Sequence, residues 1–273
     1  MISYPDISPE IFRVGPFSVR WYGFMYLAGF IASYFLVTYQ IRRKGLNLDK
    51  DIVLSLYLYL IIGLVAGARL GYVIFYNFPL YLQHPLEIFA VWQGGMSFHG
   101  GLLGSIASGI LFCQKYRINF WQMSDLLVVT APIGLGLGRI GNFINGELYG
   151  RVTDVPWGMV FPLGGPLPCH PSQLYEFVLE GVVLFTILWI LKDRELRSGI
   201  LISVFAIAYG VFRFFMEFFR EPDSQLGFIL GSFTMGQLLS FIMVTVGFGV
   251  FYLRIKNKKS GQMKKVAGES FIN

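Results

Sequence analysis

Charge and sulfur are what this 273-residue chain has little of. Only 14% of its residues are charged, against about a quarter in a soluble domain, which argues against a water-exposed globule. With 55% hydrophobic residues and a mean hydropathy of +0.59, disorder is excluded as well. Two cysteines, Cys113 and Cys169, are too few for a disulfide framework or a cysteine-built zinc site. The three histidines, His84, His99 and His170, lack metal-ligand spacing, so no metal and no cofactor is expected. A basic n-region is missing too. Met1–Pro16 carries Asp6, Glu10 and prolines, and no removable signal peptide is expected. Internal repeats, common in transporters, are not visible.

What is present is a series of apolar runs, each able to cross a bilayer core. They cover Trp21–Gln40, Ile52–Phe75, Gly95–Cys113, Leu126–Ile144, Leu174–Leu191, Gly199–Phe219 and Met235–Leu253. The expected fold is all-α: a polytopic, seven-helix transmembrane bundle, residues 1–273 forming a single integral-membrane domain with a small outer (periplasmic) cap. Fifteen of the 22 lysines and arginines fall on one set of alternate loops and on the tail. Four, Arg13, Arg20, Arg151 and Arg220, fall on the other side. This asymmetry places the N-terminus outside and the C-terminus inside. Two outer segments, 76–94 and 146–173, are rich in proline and resemble caps or re-entrant pieces. The basic tail 254–273 reads as an inner-face anchor to anionic lipid. With the basic residues so placed, the net charge of +6 implies a membrane surface and no nucleic acid.

A charge at mid-span costs roughly 2.5–3.5 kcal/mol on insertion scales, so each one demands a partner or a task. Arg69, Arg139, Glu176, Glu180, Arg213 and Glu217, together with Tyr22 and His99, all fall in the outer half of the expected bundle. Tyr209, Arg213, Glu217 and Arg220 follow i, i+4, i+8, i+11 and share one helical stripe. Arginines gathered at headgroup depth suit a phosphate, because the guanidinium fork binds two oxygens. Plainer readings stand beside this one. Arg213 and Glu217 could only fix helix rotation, Arg69 could snorkel to the interface, and His99 could be a satisfied polar residue. Gly63, Gly67 and Gly71, and the small stripe Ser97, Gly101, Gly104 and Ser108, read first as helix packing.

Two other patterns lead nowhere. Gly136-Leu137-Gly138-Arg139-Ile140-Gly141 has the spacing of a dinucleotide loop but lies inside an apolar span, not between strand and helix. Cys169 and His170 are chain neighbours, which does not supply the spatial contact of a nucleophile–base pair.

Longer motifs carry more. Phe98-His99-Gly100-Gly101, the run Gly138-Arg139-Ile140-Gly141-Asn142-Phe143-Ile144-Asn145-Gly146-Glu147, Tyr149-Gly150-Arg151, and His170-Pro171-Ser172-Gln173-Leu174-Tyr175-Glu176 resemble the prolipoprotein diacylglyceryl transferase family. So do Trp21-Tyr22-Gly23, Gly67-Ala68-Arg69 and Arg213-Phe214-Phe215-Met216-Glu217-Phe218-Phe219-Arg220, and the resemblance spans almost the whole chain. One departure is the outer loop Gly150–His170, which is short for the family and bears on protein-substrate docking.

The resemblance implies a bacterial inner-membrane enzyme. It would move the diacylglyceryl group of phosphatidylglycerol to the lipobox cysteine of a preprolipoprotein signal peptide and release glycerol 1-phosphate. It also implies roles for Tyr22, His99, Arg139, Asn142, Glu147, Gly150, Arg213 and Glu217, with Arg69 and Arg220 as further substrate-binding candidates. Arg139 and Arg213 would hold the phosphate, Glu217 would orient Arg213, and Asn142 and Glu147 would shape the pocket. Gly150 would allow a close backbone turn. His99 is the candidate base, with Gly100 and Gly101 leaving room beside it for a substrate backbone. The rival class is a lipid or solute transporter with a basic outer cavity, which should show repeats and polar groups through both leaflets.

Overall fold

The computed structural model describes residues 2–15, 17–221, 228, 229 and 233–256. The described chain is mostly helical and forms two compact units, one of residues 2–37 and 124–256, the other of residues 38–123. Helix α1 (Trp21–Arg43) runs from the first unit into the second.

In the second unit, helices α2 (Lys50–Phe75) and α4 (Phe98–Lys115) lie backbone to backbone, with the short α3 (Phe78–Gln83) between them in sequence. The small residues are the cause. A Cβ placed on Gly67 would come within 2.7 Å of Gly104 Cα, one on Gly71 within 2.8 Å of Gly100 Cα, and one on Gly63 within 2.6 Å of Ser108 Cβ. No larger side chain fits such a seam, which is how small-xxx-small patterns bring apolar helices together. The room beside His99 is therefore taken by α2. A Cβ on Gly100 meets Gly67 and Gly71, and one on Gly101 meets Ala68 at 3.3 Å, so these glycines serve packing and leave no path there for a substrate backbone. Ser97 caps α4 by accepting the Gly100 N–H at 3.3 Å.

The first unit opens with strand β1 (Ile2–Ser3) and a hairpin of β2 (Glu10–Val14) and β3 (Phe17–Arg20). Strand β4 (Met159–Val160) pairs with β1 in parallel. Tyr4 packs on Phe143 and Phe161, and its hydroxyl donates to the carbonyls of Phe143 at 2.6 Å and Ile144 at 3.0 Å. Those are terminal carbonyls of a helix, which have no partner within it.

The expected fourth span is two helices, α5 (Phe120–Val128) and α6 (Ala131–Ile144), bent by 42°. Pro132 falls in the first turn of α6, where a missing N–H costs nothing but the helix before it cannot continue unbroken. The fifth runs from α7 (Ser172–Glu176) through a π-helical stretch, Phe177–Val183, into α8 (Leu184–Leu191). Gly136 and Gly181 let this element meet α6 at a Cβ-to-Cα distance of 3.1 Å. Helix α9 (Ile200–Met216) stops before Glu217, three residues short of the expected end. Its start is held by Asp125, whose carboxylate accepts from the Gly199 N–H at 2.6 Å and the Ile202 N–H at 2.9 Å. Strands β5 (Phe228–Ile229) and β6 (Phe233–Thr234) pair ahead of α10 (Met235–Lys256).

Four of these elements are long and apolar enough to cross a membrane: Trp21–Arg43, Lys50–Phe75, Ser172–Leu191 and Met235–Lys256. The bent pair α5–α6 makes five if it counts as one span. Helix α4, rich in glycine and serine, and the 17-residue α9 are not among them. The chain is a multi-pass membrane protein. Of the expected basic tail, the part beyond Lys256 lies outside the described residues.

Candidate active site

Four elements of the first unit and the segment after α9 bring three arginines and three glutamates to one place. Arg139 comes from α6, Glu176 from the end of α7, Glu180 from the π-helical stretch, and Arg213 from the last turn of α9. Glu217 and Arg220 follow directly after α9. Glu176 is fully buried and receives three guanidiniums: Arg139 Nε at 3.1 Å, Arg213 Nη1 at 2.5 Å and Arg220 Nη1 at 3.0 Å. Arg139 Nη2 also reaches Glu180 Oε2 at 3.3 Å. Arg213 pairs with Glu217 at i+4, and Arg220 Nε lies 3.5 Å from the same carboxylate. Three guanidiniums face three carboxyl groups in the cluster. It is not the purely basic pocket that the arginines alone suggest. Burying one of these charges without its partners would be costly, and mutual compensation is what makes the arrangement possible at all.

Arg139 and Arg213 keep 17% of their side chains exposed while the carboxylates behind them keep almost none. Thr234 Oγ1 donates to Glu217 Oε2 at 2.7 Å, and the missing Cβ of Gly236 makes room for that carboxylate.

One turn beyond Arg139, Asn142 and Asn145 donate their amides to Glu147 Oε1, each at 3.0 Å. The chain reverses between them at Gly146, with φ +65°, a left-handed conformation that glycine adopts freely. Gln173 Nε2 holds the Glu147 carbonyl at 2.7 Å. The buried oxygens Asn145 Oδ1 and Gln173 Oε1 accept no hydrogen bond from the described residues. Tyr22 of α1 packs on Gly141, where a Cβ would come within 2.9 Å of its ring, and shares a 3.1 Å hydrogen bond with Tyr26. Gly150 permits a close crossing. Its N–H donates to the His170 carbonyl at 2.8 Å, it bridges Arg220, and a Cβ there would strike Phe219 and His170. The structure thus groups Tyr22, Arg139, Asn142, Glu147, Gly150, Arg213, Glu217 and Arg220 within one unit.

Arg69 and His99 belong to the other unit. Arg69 is buried, and its guanidinium is spent on backbone carbonyls: Ile88 at 2.8 Å, Glu87 at 2.6 Å, Gly94 at 2.6 Å and Gly95 at 3.2 Å. It neither snorkels nor offers a free fork. It fixes the two 3₁₀ turns, Pro85–Phe89 and Val91–Gln93, that lead to His99. His99 is exposed in the first turn of α4, its ring edge-on to Phe98 at 5.6 Å. Cys169 and His170 diverge: the Cys169 thiol faces the Leu167 carbonyl, while His170 Nδ1 pairs with Tyr175 Oη at 3.2 Å. Burial pushes the thiol up and the imidazole down, so both favour their neutral forms. Among the described residues no group of histidine, cysteine and carboxylate could hold a metal ion.

The family described as prolipoprotein diacylglyceryl transferase matches residues 9–253. The chain belongs to this family. A phosphatidylglycerol–prolipoprotein diacylglyceryl transferase of Geobacter sulfurreducens is 54% identical over 94% of the chain and 99% of its own length. The namesake of Desulfotalea psychrophila is 54% identical over 93% and 96%, and that of Legionella pneumophila 46% over 93% and 100%. For a diacylglyceryl transferase the transporter reading is not favoured.

Two members of the cluster, Glu176 and Glu180, are not among the residues expected to form the site, although their i, i+4 spacing in an apolar span is visible in the sequence. The cost of a buried carboxylate was the available signal: two acids on one face of a span require cations opposite, and Arg139 and Arg213 are the cations at matching depth.

Proposed function

We propose that the protein transfers the diacylglyceryl group of phosphatidylglycerol to the lipobox cysteine thiol of a preprolipoprotein, leaving a thioether and glycerol 1-phosphate. The observation that carries this reading is the convergence of Arg139 and Arg213 on Glu176, each with 17% of its side chain exposed. Two planar forks so held match a phosphate, and they offset the charge that grows on it as it leaves. The cysteine sulfur attacks the glyceryl carbon, the S–C bond forms as the C–O bond breaks, and the electron pair of that bond stays on the phosphate oxygen. A free thiol has a pKa of about 8.5, so a base is useful near neutral pH, and His99 takes the proton to solvent. Glu217 orients Arg213, while Asn142 and Glu147 shape the wall next to the phosphate. Tyr22 lines the site from α1, and Gly150 brings the loop between α6 and α7 close to it. Arg220 acts through Glu176 and Glu217, and Arg69 through the turns that present His99.

The same reading makes residues 1–273 one domain of seven spans in the bacterial inner membrane, with α4, α9 and the α5–α6 pair as crossings. The N-terminus and the loops 76–94 and 146–173 face the periplasm as a small cap; the tail 254–273 faces the cytoplasm. Incubation of the purified protein with phosphatidylglycerol and a lipobox peptide, followed by mass spectrometry, should give a diacylglyceryl thioether on the cysteine. An unmodified peptide would sink the assignment. Labelling of Gly164→Cys from the periplasmic side only is the expected topology result; labelling from the cytoplasm only would reverse it.

A further inference from the structure

Glu180 has the fewest cationic partners of the acids in the cluster. It is fully buried, Oε2 takes a single N–H from Arg139 at 3.3 Å, and Oε1 accepts no hydrogen bond from the described residues. Glu176, one turn away, faces three guanidiniums. The charged and titratable groups facing Glu180 are Arg139 of α6, Glu176 of α7, and Arg213 and Tyr209 of α9. It sits inside the π-helical stretch, a distortion that often marks functional positions.

In the empty cluster three guanidiniums face three carboxyl groups, a set that is neutral with every carboxyl ionised. Adding the single negative charge of a phosphodiester at Arg139 and Arg213 would leave it anionic in a poorly solvated place, which is unfavourable. We propose that binding of the anionic phosphodiester headgroup is coupled to uptake of one proton by Glu180, which makes Glu180 a positioning residue that acts through Arg139. The proposal rests on the reading of Arg139 and Arg213 as the phosphate clamp. Once protonated, Glu180 releases Arg139 Nη2, and that N–H turns to the phosphate. The charges balance through the cycle. One proton enters from water with the lipid, the thiol proton leaves through His99, and the Glu180 proton returns to water as the dianionic product departs. The recovered carboxylate then reclaims Arg139 and repels the product. Per turnover one proton is released in total, the one the thiol loses.

Linkage fixes the sign. Lipid favours the protonated form, and the proton in turn favours lipid. Affinity is then greatest at low pH and falls as pH rises, by up to about tenfold per pH unit for one full proton.

The test is calorimetric titration of the full-length protein in phosphatidylcholine nanodiscs with short-chain phosphatidylglycerol, in buffers of different ionisation enthalpy across a pH series. The wild type should take up close to one proton on binding, with Kd rising as stated. Glu180→Gln, a neutral isostere, should take up none and bind with the same Kd at every pH. Glu180→Asp should restore the uptake. Binding by the wild type without proton uptake would overturn the proposal, and that measurement needs no variant to fold. Uptake retained in Glu180→Gln would overturn it equally. An Arg139→Gln variant separates the two levels: unchanged lipid affinity there would sink the clamp itself and this proposal with it. Weakened affinity there, together with no proton uptake in the wild type, would sink the Glu180 proposal alone.

Discussion

Between α2 and α4 the backbones touch because side chains are missing, with Gly67 against Gly104 and Gly71 against Gly100. Between α6, α7 and the end of α9, long charged side chains make contact beside the close approach of Gly136 and Gly181, with Glu176 at the centre of three guanidiniums. The first contact is short-range and steric; it ignores charge and fails on the addition of one methyl group. The second is electrostatic. It tolerates small changes of shape but depends on the count of charges. A membrane protein has little hydrophobic drive between its helices, so both devices are needed, and they leave opposite marks in the sequence.

That contrast can be broken most decisively at Glu176. Glu176→Gln leaves three guanidiniums facing two carboxylates, and it should destabilise the fold by about 3–5 kcal/mol, read as lost thermal stability and folded yield in detergent. A variant as stable as wild type would show that charge does not hold the cluster. The next effect belongs to His99, which is exposed in the first turn of α4 with its ring against Phe98. His99→Gln should lower turnover about a hundredfold at pH 7 and regain part of it at alkaline pH, as the substrate thiolate forms unaided. Loss by the same factor at every pH would make His99 a binding or structural residue. In the seam itself, Gly104→Ala should cost about 1–3 kcal/mol of stability while the folded fraction keeps its KM for phosphatidylglycerol. A changed KM at unchanged stability would mean that the seam shapes the site. The smallest effect is expected at Tyr4, where Phe removes the hydroxyl that holds the terminal carbonyls of α6. About 1 kcal/mol should be lost, with no change in pH profile.

Hydropathy and small-residue spacing made the helical class, the multi-pass reading and the α2–α4 seam legible. Arg139 and Arg213 stood out in the sequence too, because intramembrane charges are rare and each needs a reason, and the structure brings both to Glu176. Less could be read of the partners. The four carbonyls that absorb Arg69 carry no residue-type signature, so a buried backbone clamp and a phosphate ligand look alike in sequence. The π-helical turn at 177–183 is likewise hidden, since Phe177-Val178-Leu179 reads as ordinary helix. The break between α5 and α6 had a visible cue in Pro132, which the strong apolar pattern around it masks. Compensation emerges only when Glu176 and Glu180 are seen opposite the arginines.

In the proposed mechanism Arg139 and Arg213 act as paired forks on the lipid phosphate and not as mere positive charges. Turnover of Arg139→Lys and Arg213→Lys at saturating phosphatidylglycerol separates the two, since lysine keeps the charge and loses the two-pronged geometry. Each variant should fall by about a hundredfold or more, the loss typical of removing one donor that stabilises the departing charge. Wild-type turnover in both would remove the pair from the mechanism.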